Sequence, residues 1–207
     1  MRILIIGGTR GCGLQCLRQG IDRGHTIRVL ARFPPRSPAA GVQVVAGDAR
    51  AAAVVAEAVA GQDAVVVAIG RRPTLRPVAL FSQALGNVVL AMSQAGVARL
   101  VYLTGVGAGD SRGHGGFWYD RVIQPVLLRT IYADKDASEQ LVRACPLRWT
   151  LVRPARLTNG STTAQYRILN DLRHIVAGTI ARGDVAHFVL DELERNEFVG
   201  KAPLLTY

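Results

Sequence analysis

Six short apolar runs, RILII (2–6), TIRVLA (26–31), VQVVA (42–46), DAVVVAI (63–69), RLVYLT (99–104) and RWTLV (148–152), are separated by stretches with helical spacing. The runs are β-branched and nearly continuous rather than alternating, which is the pattern of strands buried on both faces. Between them, Leu14, Leu17 and Ile21 share a helical face that Gly24 ends. Phe81, Ala84, Leu85, Val88, Val89 and Met92 share another before Gly96, and the alanine-rich stretch 51–60 has Gly61 to cap it. Doubly buried strands alternating with helices close as right-handed βαβ units. The expected fold is therefore α/β, a Rossmann-type doubly wound, mostly parallel sheet flanked by helices. No repeat or linker divides the chain, so 1–207 is read as one domain.

Beyond residue 152 the rhythm loosens. RPARLTNGSTTAQY reads as a polar loop, RILNDLRHIVAGTI as room for one or two short strands, and APLLTY as a last strand. The stretch 182–193 reads as a helix, with Val185, Phe188, Val189 and Glu192 at helical spacing and Asp184 in its first turn, facing the positive dipole end. Residues 105–120 and 153–180 are the expected substrate-side loops.

The glycines after the first strand say what the sheet carries. MRILIIGGTRGCGLQ moves from core strand to Gly7, Gly8, Gly11 and Gly13 within seven positions. Glycine contributes no packing and loses much entropy when ordered, so its use here implies a close approach to the main chain. A strand, a glycine turn and a helix N-terminus are the elements that seat a dinucleotide diphosphate. The expected cofactor contacts here are Gly7, Thr9, Arg10, Gly11, Cys12 and Gly13.

Arginine replaces acid where the ribose would lie. Arg32 ends the second strand at the position where NAD enzymes hold an Asp or Glu, and none occurs between Arg23 and Asp48. Arg10 stands inside the glycine turn. Charge-assisted bonds from both to a 2′-phosphate, each worth roughly 1.5–3 kcal/mol, would favour NADP(H) over NAD(H) by roughly a hundredfold or more. Asp48 and Ala49 fall where this fold touches the adenine, with an N-cap for the following helix as the other use of the carboxylate. Ala68, Ile69 and Gly70 lie on the expected path from adenosine to nicotinamide, and RRPTLRP (71–77) is a basic loop nearby.

Composition excludes several classes. With 49% apolar and 19% charged residues the chain reads as globular, and no apolar run approaches the roughly 18 residues that span a bilayer. No basic-then-apolar leader precedes the first strand. Cys12, Cys16 and Cys145 lack metal-site spacing and read as small buried hydrophobes in a reducing compartment; the expectation is a cytoplasmic protein with no metal. The net charge is +10, yet only Lys135 and Lys201 among the 25 basic residues are lysines, and the arginines are scattered. That pattern indicates a positive surface and small anionic ligands rather than nucleic acid or membrane. His25, His174 and His187 are dispersed and read as structural or surface residues.

With these pieces in place, the chain resembles the atypical short-chain dehydrogenases/reductases with an NmrA-like NAD(P)H-binding domain, and within them the biliverdin-IXβ reductase/flavin reductase group. The resemblance rests on GQDAVVVAIG with ALFSQALGNVVLAMSQAGVARLVYLT, on SEQLVRACPLRWTLVRPARLTNG and on ARGDVAHFVLDEL. It implies an NADPH-dependent reductase, a monomer or homodimer, with the nicotinamide near Thr104 and Pro154. Members reduce flavins, open-chain tetrapyrroles, quinones or carbonyls, and some only sense the nucleotide as non-catalytic regulators.

The resemblance also implies catalytic positions. Thr104 matches the Ser or Thr that bonds substrate or nicotinamide, though threonine is also an ordinary strand-end residue. The usual Tyr-x-x-x-Lys is absent: Ile131 stands at the tyrosine position, and Tyr132 lies three residues before Lys135. Lys135 matches the lysine that holds the nicotinamide ribose; its other reading is a solvated helix lysine paired with Glu139. GVGAGDSRGHGGFWYDR (105–121) is too glycine-rich for a helix and brings His114, Phe117, Trp118 and Tyr119 toward the substrate side, either as a lid or simply docked on the core. Tyr119 is the candidate proton donor, with His114 a weaker one and solvent the alternative.

Overall fold

The computed structural model describes residues 1–34, 40–173 and 175–207. His174 and the side chain of Tyr119 lie outside the described residues. Strands β1 (Arg2–Ile6), β2 (Thr26–Ala31), β3 (Gln43–Ala46), β4 (Ala64–Val67), β5 (Arg99–Leu103) and β6 (Arg148–Pro154) correspond to the six apolar runs. Between them run α1 (Gly11–Asp22), α2 (Ala52–Val59), α3 (Leu80–Ala95) and α4 (Arg129–Ala144). The later chain supplies β7 (Arg156–Thr158), β8 (Arg167–Leu169), β9 (Thr179–Ala181), α5 (Arg182–Arg195) and β10 (Leu204–Thr206).

The main sheet has the order β3-β2-β1-β4-β5-β6-β10-β8. Its strands pair in parallel except for β10 with β8, and β7 and β9 form a separate parallel pair. Alternation along β1 shows why the strands are apolar throughout. Ile3 and Ile5 enter the core under α1 and α5, whereas Leu4 and Ile6 enter the core under α2, α3 and α4. The chain leaves β3 at one edge and crosses to β4 on the far side of β1. The connections after β1 and β4 therefore run to opposite faces of the sheet, which marks the switch point where ligands bind at the carboxyl ends of the strands.

Several local expectations change. On α1 the buried residues are Cys12, Gly13, Cys16 and Gly20 rather than the face of Leu14, Leu17 and Ile21. These small side chains let α1 lie close: a Cβ on Gly20 would stand 2.9 Å from Ile27 Cδ1 and 3.7 Å from Leu190 Cδ2. Cys145 is only half-buried. Asp48 does not cap a helix, because α2 starts at Ala52 with Ala51 as N-cap. Its carboxylate instead accepts from the Arg50 backbone at 2.9 Å and from the Arg50 guanidinium at 2.7 Å. Asp184 does sit in the first turn of α5, as expected; it is buried there and accepts from Thr163 N, Ala164 N and the Tyr207 hydroxyl, tying the loop before β8 to α5.

The region after β5 also differs. Following the glycine-rich loop, residues 119–127 coil as a widened π-type helix with Pro125 inside it. A proline removes one backbone donor, which a widened turn tolerates better than a regular helix.

Candidate functional site

A cleft of about 1470 Å³ follows the carboxyl ends of β1, β2, β4 and β5. Its floor is the glycine turn. Gly7 takes φ +95°, and a Cβ there would stand 2.7 Å from the Ala68 carbonyl oxygen, so the loops after β1 and β4 touch through bare main chain. A Cβ on Gly13 would overlap the Gly7 carbonyl. Gly13 thus seats α1 against the turn and does not itself line the cleft, in contrast to the contact expected of it. No side chain caps the start of α1. Its first N–H groups lie at the cleft wall, where a diphosphate finds donors and the positive dipole end together.

Gly7, Thr9, Arg10, Gly11, Cys12, Arg32, Asp48, Ala49, Ala68, Ile69, Gly70, Thr104, Lys135 and Pro154 all line this cleft. Arg10 and Arg32 are exposed and line the cleft together with Asp48. Asp48 is held down to about 2, first by its bond with Arg50. Arg71 and Arg72 of the basic loop also line the cleft. The Cys12 thiol is pushed up to about 11 by burial, so it stays protonated and inert.

At the β5 end of the cleft, α4 is fixed on both sides. The Asp134 carboxylate accepts from Phe81 N at 2.7 Å and from the Ser82 backbone and hydroxyl, holding the start of α3. Ser138 Oγ lies 2.8 Å from the Tyr102 hydroxyl of β5. Lys135 falls between these two anchors, which aims it at the end of β5. Its Nζ donates to the Thr104 carbonyl at 2.6 Å and lies 5.6 Å from the Phe81 ring and 5.1 Å from the Tyr132 ring. Desolvation disfavours the ammonium and brings Lys135 down to about 8, partly offset by Glu139.

Lys135 is therefore not a solvated helix lysine paired with Glu139. Glu139 bonds Arg153 instead, at 2.6 and 3.2 Å, with both side chains buried. The Tyr132 hydroxyl donates to the Val106 carbonyl at 2.8 Å. Thr104 is buried, its hydroxyl 3.5 Å from the Val152 carbonyl.

Residues 153–180 contribute Pro154 and Leu157 to the cleft, but among the described residues none of 105–120 lines it. His114 Nδ1 lies 2.8 Å from the Ile175 carbonyl. Phe117 and Trp118 are 69% and 72% exposed, so they neither cover the cleft nor dock on the core. The proposed proton donor Tyr119 has its side chain outside the described residues. His25 lies 3.0 Å from Glu194 and His187 2.9 Å from the Tyr166 hydroxyl, both away from the cleft. Among the described residues no cluster could hold a metal ion, and no helix is long and apolar enough to cross a membrane.

Sequence reasoning missed Arg182. It opens α5, lines the cleft, and lies so close to the glycine turn that a Cβ on Gly11 would be 3.9 Å from its Nε. Its terminal nitrogen donates to Asn159 at 2.7 Å. A lone arginine opening a late helix carries no local mark of this placement. Only the packing of α5 against α1 brings it there.

A doubly wound sheet with a bare glycine turn and a long cleft across its switch point defines a dinucleotide-binding Rossmann protein. The chain belongs to the NAD(P)H-binding family, whose model matches residues 7–196. ChuY of Escherichia coli O157:H7, described as an anaerobillin reductase, is 21% identical with a TM-score of 0.83, covering 100% of this chain and 97% of that one. A wide-type short-chain dehydrogenase/reductase of Veillonella parvula DSM 2008, solved in complex with NADP, is 16% identical with a TM-score of 0.81, covering 100% and 94%. At these identities the likeness is one of fold. The photosystem II assembly factor Ycf39 of Synechocystis sp. (strain ATCC 27184 / PCC 6803 / Kazusa) is 31% identical over 111 residues, half of this chain but only 33% of that protein's length.

Proposed function

We propose that the protein is an NADPH-dependent reductase that delivers a hydride to a small planar conjugated or carbonyl substrate of flavin, quinone or tetrapyrrole type. The observation that carries this reading is one continuous cleft joining the glycine turn and its arginines to Lys135, Thr104 and Pro154. Bound NADPH would supply the hydride and leave as NADP⁺. Arg10 and Arg32 would pair with the 2′-phosphate, and Arg182 with the diphosphate. Thr104 would orient the acceptor. Lys135 would hold the ribose, and with its lowered proton affinity it or solvent would supply the proton that completes reduction. Pro154 and Leu157, from the segment 153–180, would border the acceptor. The anaerobillin reductase named among the structural neighbours supports the tetrapyrrole member of this substrate class.

A non-catalytic NAD(P)-sensing regulator is the second reading. It is favoured by the Tyr132 hydroxyl, which is committed to the Val106 carbonyl rather than to an acceptor. Incubation with NADPH and a panel of flavins, quinones and a linear tetrapyrrole, followed at the absorbance of the reduced nicotinamide, separates the two. Oxidation of the cofactor that depends on one acceptor supports the reductase. Tight binding without turnover on the whole panel overturns it in favour of the sensor.

A further inference from the structure

The segment from Phe117 to Arg129 is folded inside out. Its buried anchor is polar: Gln124 Nε2 donates to the Gly107 carbonyl at 2.7 Å. Leu128 packs beside Phe81 and Ile131, but most of the segment's other apolar residues point to solvent. Val122, Ile123, Val126 and Leu127 are exposed, Val126 at 58%, next to the exposed pair Phe117 and Trp118, whose rings meet edge to face at 5.5 Å. Six large apolar side chains are exposed within eleven residues, a concentration of the kind that marks an interaction site.

The charges around this patch choose the partner. Arg121, whose guanidinium lies 6.0 Å from the Phe117 ring centroid, and Arg129 are both exposed on the same segment. Thr130 donates to the Thr74 carbonyl, which brings the loop with exposed Arg71, Arg72 and Arg76 alongside. Asp120 is the one acidic residue between Phe117 and Arg129, and its carboxylate accepts from Gly115 N at 3.3 Å. A second copy of the chain would bring arginine against arginine across a two-fold axis. A surface with apolar and aromatic groups at its centre and arginines around them suits an anionic lipid headgroup layer over acyl chains.

We propose that residues 117–129, with the arginines of the 71–76 loop, dock the protein peripherally on anionic lipid membranes. Such a contact needs no spanning helix, and it departs from the expectation, drawn from the scattered arginines, that the positive surface does not serve a membrane. Resting on the reductase reading, it adds that the acceptor is lipophilic and reaches the cleft from the lipid phase, since the loop that Thr130 holds through the Thr74 carbonyl also carries Arg71 and Arg72, which line the cleft.

Flotation of the whole protein with vesicles of phosphatidylcholine alone, or of phosphatidylcholine mixed with phosphatidylglycerol, tests the surface without any turnover. The protein should float with the mixed vesicles, be released by high salt, and stay in solution with phosphatidylcholine. Val126→Ser with Leu127→Ser, and separately Arg121→Gln with Arg129→Gln, should each weaken vesicle binding by about tenfold or more while NADPH binding is kept. Failure of the wild-type protein to float, equal binding to both vesicles, or binding unchanged in both variants would overturn the proposal. So would a concentration-dependent dimer that the serine variant dissolves, because the patch would then be covered by a second copy. Membrane binding by a protein that oxidises NADPH with no acceptor on the panel would keep the docking surface and remove only the reductase reading.

Discussion

Lys135 Nζ donates to the carbonyl oxygen of Thr104 at 2.6 Å, linking the middle of α4 to the end of β5 at the end of the cleft away from the arginines. Burial lowers Lys135 from 10.5 to about 8, which places its titration near neutral pH. If its ammonium holds the ribose or donates the proton, kcat/KM for NADPH should be highest below this pKa and fall as pH rises through about 8. Lys135→Arg, which stays charged, should move that limb to higher pH; an identical profile in the variant would exclude Lys135. The sign for stability is opposite. Because the folded state disfavours the ammonium, Lys135 costs stability below about 8, and this cost is relieved as pH rises toward 10.5.

The three arginines of the cleft should separate by selectivity. Arg10→Ala with Arg32→Ala should lower affinity for NADPH but not NADH, reducing the preference by roughly a hundredfold. Arg182→Ala, facing a group common to both cofactors, should weaken NADPH and NADH alike by about tenfold or more. Titration calorimetry with the two reduced cofactors checks both, and an unchanged preference in the double variant would remove the 2′-phosphate assignment.

Gly13→Ala should damage the site without touching the cofactor. Its Cβ would overlap the Gly7 carbonyl, which is main chain and cannot swing aside. Displacing α1 from the turn should cost about 1–3 kcal/mol in urea unfolding and abolish measurable cofactor binding. Gly24→Ala is the control for a glycine with free space around it but a positive φ of +78°. It should lose stability through backbone strain alone and keep its affinity.

Arg153 and Glu139 form a buried pair directly behind Pro154 and one turn from Lys135. Arg153→Met leaves the buried Glu139 carboxylate without its cation, with an expected loss of about 3–5 kcal/mol, whereas Glu139→Leu leaves Arg153 paired with Asp110 and should cost less. Replacing both, Arg153→Met with Glu139→Leu, should recover most of that loss. A double-mutant cycle by urea denaturation with no coupling between the sites would show that Asp110, 2.5 Å from Arg153, carries the interaction instead.

The central strands and the glycine turn were legible in the chain because they rest on local patterns, although β6 runs on to Pro154 and β7 (Arg156–Thr158) forms in what read as a polar loop. Doubly apolar strands can be satisfied only between two helical layers, and a bare turn between strand and helix has few uses besides a phosphate. The arginines at positions 10 and 32 were equally readable, because the sequence distance from the strand ends places them. Three features depended on tertiary packing. The buried face of α1 follows Cys12, Cys16 and Gly20 because α5 must come close, and apolarity alone pointed to Leu14, Leu17 and Ile21. Arg182 reaches the glycine turn only because α5 packs beside α1, 171 residues along the chain from Gly11 to Arg182. The segment after Trp118 shows its apolar residues to solvent because Gln124 finds its partner in the Gly107 carbonyl, a long-range bond that no periodicity announces. Local pattern decides which elements form and what the turn between them can bind. Which face each element buries, and which distant side chain completes the site, is decided by contacts between segments that have no neighbour relation in the sequence.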